Sequence, residues 1–324
     1  MTTLSRSHRL AVALAFLPVG LAALILLGCR RSPPGQSLPP NQPQPSALEQ
    51  QDEDYAAARS RFKTRLVRSG PSPQPYQELK RPPEATEVEY ASGSLRLKAW
   101  VNRPAAEDGT KRPAVLFLHG GFAFDEGDWA MPKPYRDAGY VTLAPRLRGE
   151  NGLPGDFTLF YDELNDVLSA ADFLAKQPYV DPKRLYVAGH SVGGTMTLLA
   201  ALAGDRFRAA ASFSGSPNQT EWIQGEDDKK VVFDRSDRRE FIMRSPEAFA
   251  TRFRCPLRIY YGSEEAWADR SSRRTAEAAR QKGLDVEAVC VPGDHHSHVP
   301  ASIRQSIEFF KEHEGQPPGK SGGQ

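Results

Sequence analysis

The chain has 324 residues, 39% apolar and 25% charged, a globular balance long enough for one large domain or two small ones. Its formal net charge of +2 gives no electrostatic case for nucleic acid or for a strongly acidic substrate. Three cysteines, at positions 29, 255 and 290, exclude a disulfide scaffold.

Arg6, His8 and Arg9 precede an uncharged apolar run from Leu10 to Leu27. The run ends in Leu26-Leu27-Gly28-Cys29, a small residue followed directly by a cysteine. That ending resembles the lipobox of bacterial lipoprotein signal peptides. The resemblance implies that residues 1–28 are a signal peptide and that Cys29 becomes the first mature residue and carries the lipid. The rest of the chain is then exported to the cell envelope and held on a membrane, facing away from the cytoplasm. An uncleaved membrane helix is the alternative reading of the same run.

Residues 29–83 read as a tether. They are Pro/Gln/Ser-rich to about 48, helix-forming from Glu49 to Arg68, and proline-rich again from Gly70 to Pro83. The helix-forming part carries Arg59, Arg61, Lys63, Arg65 and Arg68, read as a solvated face in preference to a surface resting on lipid headgroups.

From Glu84 to Glu314 the pattern is globular. Glu87 to Tyr90 and Leu95 to Val101 alternate around Ser92-Gly93 and predict a hairpin. Val115 to Leu118 and Tyr140 to Ala144 are continuous apolar runs, the mark of strands buried on both faces. Helical spacing is read around Met131 to Ala138, from Asp162 to Leu174, from Ser271 to Lys282 and from Ile303 to His313. Further strands are read at Leu185 to Ala188, Phe207 to Phe213, Leu257 to Tyr261 and Val286 to Val291. This alternation predicts an α/β protein with a mostly parallel sheet covered on both faces and function at the strand ends. Residues 315–324 read as a disordered tail. Cys255 precedes one strand and Cys290 lies late in the next, so the two are expected too far apart to pair and are read as free thiols.

Gly189-His190-Ser191-Val192-Gly193 stands between a predicted strand and a predicted helix. A serine on such a turn is lifted clear of the sheet, and the new helix's first N–H groups aim at whatever it attacks. A hydroxyl is a weak nucleophile and needs a base, plus a group that orients the base. Gly262-Ser263-Glu264-Glu265 offers the acid, and Asp294-His295-His296-Ser297-His298 offers the base. His119-Gly120-Gly121-Phe122 follows a strand and supplies backbone donors beside the Val192 N–H. The adjacent histidines lack helical ligand spacing, so no metal is expected. Arg148-Gly149-Glu150-Asn151-Gly152 reads as a bracing turn. Trp129, Trp222 and Trp267 are candidates for the pocket lining, and Ser216 to Ser245 is either a small cap or a surface excursion.

The combination of His119-Gly-Gly-Phe, Pro145-Arg-Leu-Arg-Gly, Val180 to Gly194, Ser245-Pro-Glu-Ala-Phe-Ala, Cys255 to Gly262 and Gly293-Asp-His295 is similar to the α/β-hydrolases. In particular it resembles the catalytic domain of the prolyl-oligopeptidase family and its dienelactone-hydrolase-like relatives, over residues 84–314. The resemblance implies an eight-stranded, mostly parallel twisted sheet with helices on both faces. It selects Glu265, three residues after Gly262, as the acid where the family usually has aspartate, and His295 as the base. Ser191 is the implied nucleophile, with Gly121, Phe122 and Val192 forming the oxyanion hole. No cofactor is implied. Oligopeptidases of this family screen substrates with a β-propeller, for which the segment before residue 84 is too short. The expected activity is therefore that of a carboxylesterase or small-peptide hydrolase working through an acyl-enzyme. The rival class is a non-catalytic envelope protein that keeps the fold for binding.

Overall fold

A computed structural model describes residues 48–104, 109–224 and 230–314. The signal peptide, Cys29 and the 315–324 tail of the sequence reading lie outside the described residues.

Strands β1 (Thr86–Ser92) and β2 (Leu95–Val101) form the expected antiparallel hairpin, with Gly93 at φ +57° in its turn. Next come β3 (Arg112–Leu118), β4 (Val141–Pro145), β5 (Val180–His190), β6 (Ala210–Phe213), β7 (Leu257–Gly262) and β8 (Val286–Val291). The eight strands lie in the order β1-β2-β4-β3-β5-β6-β7-β8, and every pair from β4 to β8 is parallel.

Side chains alternate across a strand, so a run apolar at every position is buried on both faces. In β3, Ala114, Leu116 and Leu118 join one core cluster while Val115 and Phe117 join another. The first cluster is closed by helices α4 (Glu163–Ala175) and α5 (Val192–Leu202), and by Ala276 and Ala279 of α8 (Ala266–Arg280). The second is closed by α9 (Val299–Glu312), whose Phe310 ring stacks on Tyr186 of β5 at 4.5 Å. The helical stretch read around Met131 to Ala138 is two short helices, Glu126–Ala130 and Lys133–Asp137, parted at Pro132, which has no N–H to continue the first. Among the described residues no helix is long and apolar enough to cross a membrane.

The tether reading of residues 48–83 is corrected. Helix α1 (Tyr55–Arg61) buries Tyr55 completely and Ala58 and Phe62 nearly so, all three in the main core cluster. The Tyr55 hydroxyl donates to the Met243 carbonyl at 2.9 Å. Burial of each phenyl-sized side chain contributes about 1.5–3 kcal/mol toward holding this segment on the domain. The basic run is largely paired within the protein. Arg59 donates to Asn165 Oδ1 and the Tyr161 carbonyl, while Arg61 pairs with Glu53 and Arg65 with Asp234. Downstream, Gly70, Ser72 and Lys80 are each hydrogen-bonded to the domain, so the proline-rich stretch is a strap lying against it.

The expectation of two free thiols holds for Cys255 and fails for Cys290, which is disulfide-bonded. Cys255 and Cys290 stand toward opposite ends of the paired strands β7 and β8 and are not joined to each other. Burial pushes the Cys255 thiol up to about 12.

Candidate active site

The C-terminal ends of β3, β5, β6, β7 and β8, neighbours in the sheet, each deliver one part of a single site. Ser191 follows β5 at φ 57°, ψ −116°, and caps α5. This left-handed conformation is costly for a residue with a Cβ and belongs to a sharp strand-to-helix turn. The flanking glycines are enforced by close approach. A Cβ on Gly193 would lie 2.0 Å from the Leu118 carbonyl oxygen, and one on Gly189 would lie 2.4 Å from that of Gly193.

His295, in the loop after β8, places Nε2 3.0 Å from Ser191 Oγ and Nδ1 2.6 Å from Glu265 Oε1. A carboxylate only accepts, so Nδ1 carries the proton and Nε2 is left to accept from the serine hydroxyl. Glu265 follows β7 and is buried. Burial raises its pKa, but hydrogen bonds from His295, Ser214 and the Gly262 N–H outweigh that and hold the carboxyl below its ordinary value. Its neighbour Glu264 is exposed, so the extra methylene of glutamate at this position does not hand the role to the adjacent residue. The loop that carries His295 is fixed from two sides. Asp294 accepts from the N–H groups of His296 and Ser297 and from the Ser297 hydroxyl, which hold its carboxyl at about 2. His190, kept neutral by burial with a pKa of about 4, donates from Nε2 to the His295 carbonyl at 2.8 Å.

The turn after β3 runs beside the serine. A Cβ on Gly120 would stand 3.6 Å from Ser191 Cβ, and Gly121 has φ +67°. The Phe122 N–H points into the cavity and donates to Gln74 Oε1, a side chain of the strap, at 2.7 Å. Val192 opens α5, where an N–H has no intrahelical acceptor. Behind this turn His119 is buried against Glu150, with Nε2 2.9 Å from its carboxylate, and donates from Nδ1 to the Gly120 carbonyl. Burial opposes a charge on His119, yet Glu150 and Asp128 outweigh it and raise the pKa to about 10. The bracing role read for residues 148–152 accords with these contacts. Arg148 forks onto Asp166, Glu150 holds His119, and the Asn151 side chain exchanges two hydrogen bonds with the Phe124 backbone.

Ser191 and His295 open into a cavity of about 710 Å³. One wall is aromatic, with Trp222 edge-on to both Phe122 and Phe160 and those two rings tilted against each other. Trp267 and Arg270 stand on another side. Trp222 and Trp267 thus reach the cavity, whereas Trp129 packs against Trp100 in a separate core cluster. Trp222 comes from a short helix, Gln219–Ile223, so the 216–245 excursion contributes to the wall. Ser214, Gln74 and the contacts of His190 and His298 were not singled out from sequence. A serine after a strand and a glutamine between prolines carry no motif, although His298 and Ser302 stand at helical i, i+4 spacing.

Residues 128–253 match the Prolyl oligopeptidase family. Over 236 residues, 65% of this chain, the sequence is 28% identical to the uncharacterized peptidase YuxL of Bacillus subtilis. The chain spans only 35% of that relative's length. Among solved structures, the acylaminoacyl peptidase of Pyrococcus horikoshii superposes with a TM-score of 0.61 at 22% identity, covering 74% of this chain and 43% of that one. A protein of Klebsiella pneumoniae named a putative dienelactone hydrolase superposes with a TM-score of 0.54 at 19% identity, covering 70% of this chain and 98% of that one. The fold is that of an α/β-hydrolase.

Proposed function

We propose that the protein is a serine hydrolase that cleaves an ester or amide bond through an acyl-enzyme on Ser191. The observation that carries this reading is the unbroken hydrogen-bond path from Glu265 through His295 to Ser191 Oγ. In this reaction His295 Nε2 takes the hydroxyl proton as Oγ bonds to the carbonyl carbon, and Glu265 holds the ring in that tautomer and stabilises the imidazolium. The N–H groups of Phe122 and Val192, with the Gly121 turn between strand and cavity, stabilise the oxyanion. His295 then returns the proton to the leaving group, and water repeats the sequence to release the acid. Peptide amides come ahead of simple esters as substrates, because YuxL and the Pyrococcus protein are named peptidases and because the aromatic wall suits an apolar side chain next to the scissile bond. The test is labelling of the whole chain with a fluorophosphonate, followed by tryptic mapping. An adduct on Ser191, lost in Ser191→Ala and in His295→Ala, is expected; a folded chain that takes no label would leave a binding protein on a hydrolase fold.

We also infer that the chain is exported and anchored by a thioether lipid on Cys29. The basic head, apolar run and lipobox-like ending support it. A sulfur that carries a thioether cannot form a disulfide, and with Cys255 free the disulfide on Cys290 leaves Cys29 as its one partner within the chain, so the lipid requires Cys290 to be joined to a second molecule. A Cys29 peptide with the mass of a diacylglyceryl group is therefore expected, and a Cys29 peptide disulfide-linked to another cysteine would overturn the inference.

A further inference from the structure

We propose that Ser214 and His298 are positioning residues that aim the Glu265 carboxylate at His295. The proposal rests on the reading of Ser191, His295 and Glu265 as the reacting group. Glutamate reaches one methylene further than the aspartate usual at this position and has one more torsion to fix. Something must choose which oxygen faces the histidine.

The choice is made at Oε2. It accepts from the Ser214 hydroxyl at 2.5 Å and from the Gly262 N–H at 2.7 Å, which leaves Oε1 alone to meet His295 Nδ1. Ser214 is the first residue beyond β6, the strand between those that carry Ser191 and Glu265. It stands at φ +50°, a left-handed conformation that a non-glycine residue adopts only when its surroundings demand it.

A serine hydroxyl can donate or accept, and His298 removes the ambiguity. Its ring is wholly buried, with Nε2 2.6 Å from Ser214 Oγ and Nδ1 2.8 Å from Ser302 Oγ. A neutral ring that donates from Nε2 fills the acceptor side of the Ser214 oxygen, so the Ser214 proton is directed to Glu265. The carboxylate can only accept, so the direction is set from its end: Ser214 donates to Oε2, Nε2 donates to Ser214, and Nδ1 is left to accept from the Ser302 hydroxyl, which also lies 3.1 Å from the His298 carbonyl. Every donor in the chain Ser302, His298, Ser214 then points the same way, toward the carboxylate. Buried polar chains of this kind are specific only when every member is satisfied.

The test compares Ser214→Ala, Ser214→Gly, His298→Leu and His298→Gln, with fluorophosphonate inactivation and turnover of an activated ester as readouts. Loss of a hydrogen bond to a charged group is expected to slow inactivation and lower kcat by about tenfold or more in Ser214→Ala and Ser214→Gly, with KM little changed. Glycine relaxes the left-handed backbone, so a purely structural serine predicts that Ser214→Gly keeps wild-type rates and gains stability. His298→Gln retains an N–H donor and is expected to recover part of the rate lost in His298→Leu. Wild-type rates in both Ser214 variants, each folded by circular dichroism, would overturn the proposal. A wild-type chain that takes no label would instead overturn the hydrolase reading itself.

Discussion

Gln74 Oε1 accepts the Phe122 N–H at 2.7 Å, in the corner of the cavity where a substrate carbonyl would rest. A side-chain carboxamide is the same planar acceptor as a peptide carbonyl, and a Cβ on Gly121 would come within 2.8 Å of it. The strap is held on both sides of this contact. Ser72 donates to the Phe122 carbonyl and to that of Gly149, and the Lys80 N–H donates to Glu126. Pro73 and Pro75 flank Gln74 and fix its neighbours' φ angles.

A substrate must displace this one neutral hydrogen bond, and Gln74 is otherwise exposed. The cost applies alike to every substrate that uses the corner. Gln74→Ala is therefore expected to raise kcat/KM about threefold to tenfold, the worth of a neutral hydrogen bond, with little change in Tm. Fluorophosphonate inactivation rates of the two proteins measure it directly. Equal rates would mean that the amide leaves the corner without cost.

The two adjacent glutamates separate cleanly in the structure, with Glu265 buried on His295 and Glu264 exposed. Glu265→Gln keeps the shape but presents a neutral amide to Nδ1, which loses the stabilised imidazolium and permits the wrong tautomer. A fall in kcat of about a thousandfold or more is expected, by analogy with the loss of a buried triad carboxylate. Glu264→Gln should stay within about twofold of wild type, as exposed substitutions away from the chemistry do. Reversed effects would move the acid to Glu264.

How much of this was open to a sequence reading depends on whether the chemistry dictates the local chain. The elbow was legible because Gly189 and Gly193 meet backbone atoms that no side chain could approach. His295 and Glu265 were legible because each follows a strand-like run in the required order. Ser214 was not, since its role comes from the lateral position of β6 between β5 and β7, a relation of sheet order rather than of sequence spacing. The packing of α1 was misread because five basic residues dominated the composition of the segment. Tyr55, Ala58 and Phe62, three and seven apart, already traced one helical face.

The His119 pair makes a statement about pH. Its pKa is 6.5 when unperturbed and about 10 in the fold, where Glu150 and Asp128 outweigh the penalty of burial. A histidine whose pKa is raised on folding binds a proton more tightly in the native state. Its stabilisation is complete below pH 6.5 and is lost as the pH climbs toward 10. His119→Gln should lower Tm at pH 7, because it leaves Glu150 buried without its cation. The gap between wild type and variant should shrink by more than about half near pH 10, where the native histidine has begun to lose its proton. Thermal melts of both proteins across this range test it, and a gap independent of pH would mean that His119 is neutral in the fold.

The core reaches further upstream than the hydrolase-like pattern. Tyr55 packs edge-on to Phe249 with ring centroids 5.0 Å apart, and Phe62 does the same to Tyr161 at 5.5 Å. Arg244, wholly buried, donates to the Thr64 hydroxyl, and Glu240 accepts from that hydroxyl as well. A fragment that begins at residue 84 keeps all eight strands and Ser191, Glu265 and His295, yet it uncovers Phe249 and Tyr161 and strips Arg244 and Glu240 of partners. Apolar exposure and unsatisfied buried polar groups add, so the fragment should melt well below a chain that begins at residue 48 or should fail to fold. Within the longer chain, Tyr55→Ala should cost about 3–5 kcal/mol, the range for removing a buried aromatic ring. Chemical denaturation of the two lengths and of the point variant provides the comparison. Equal stability of the two lengths would mean that α1 sits on the domain without supporting it.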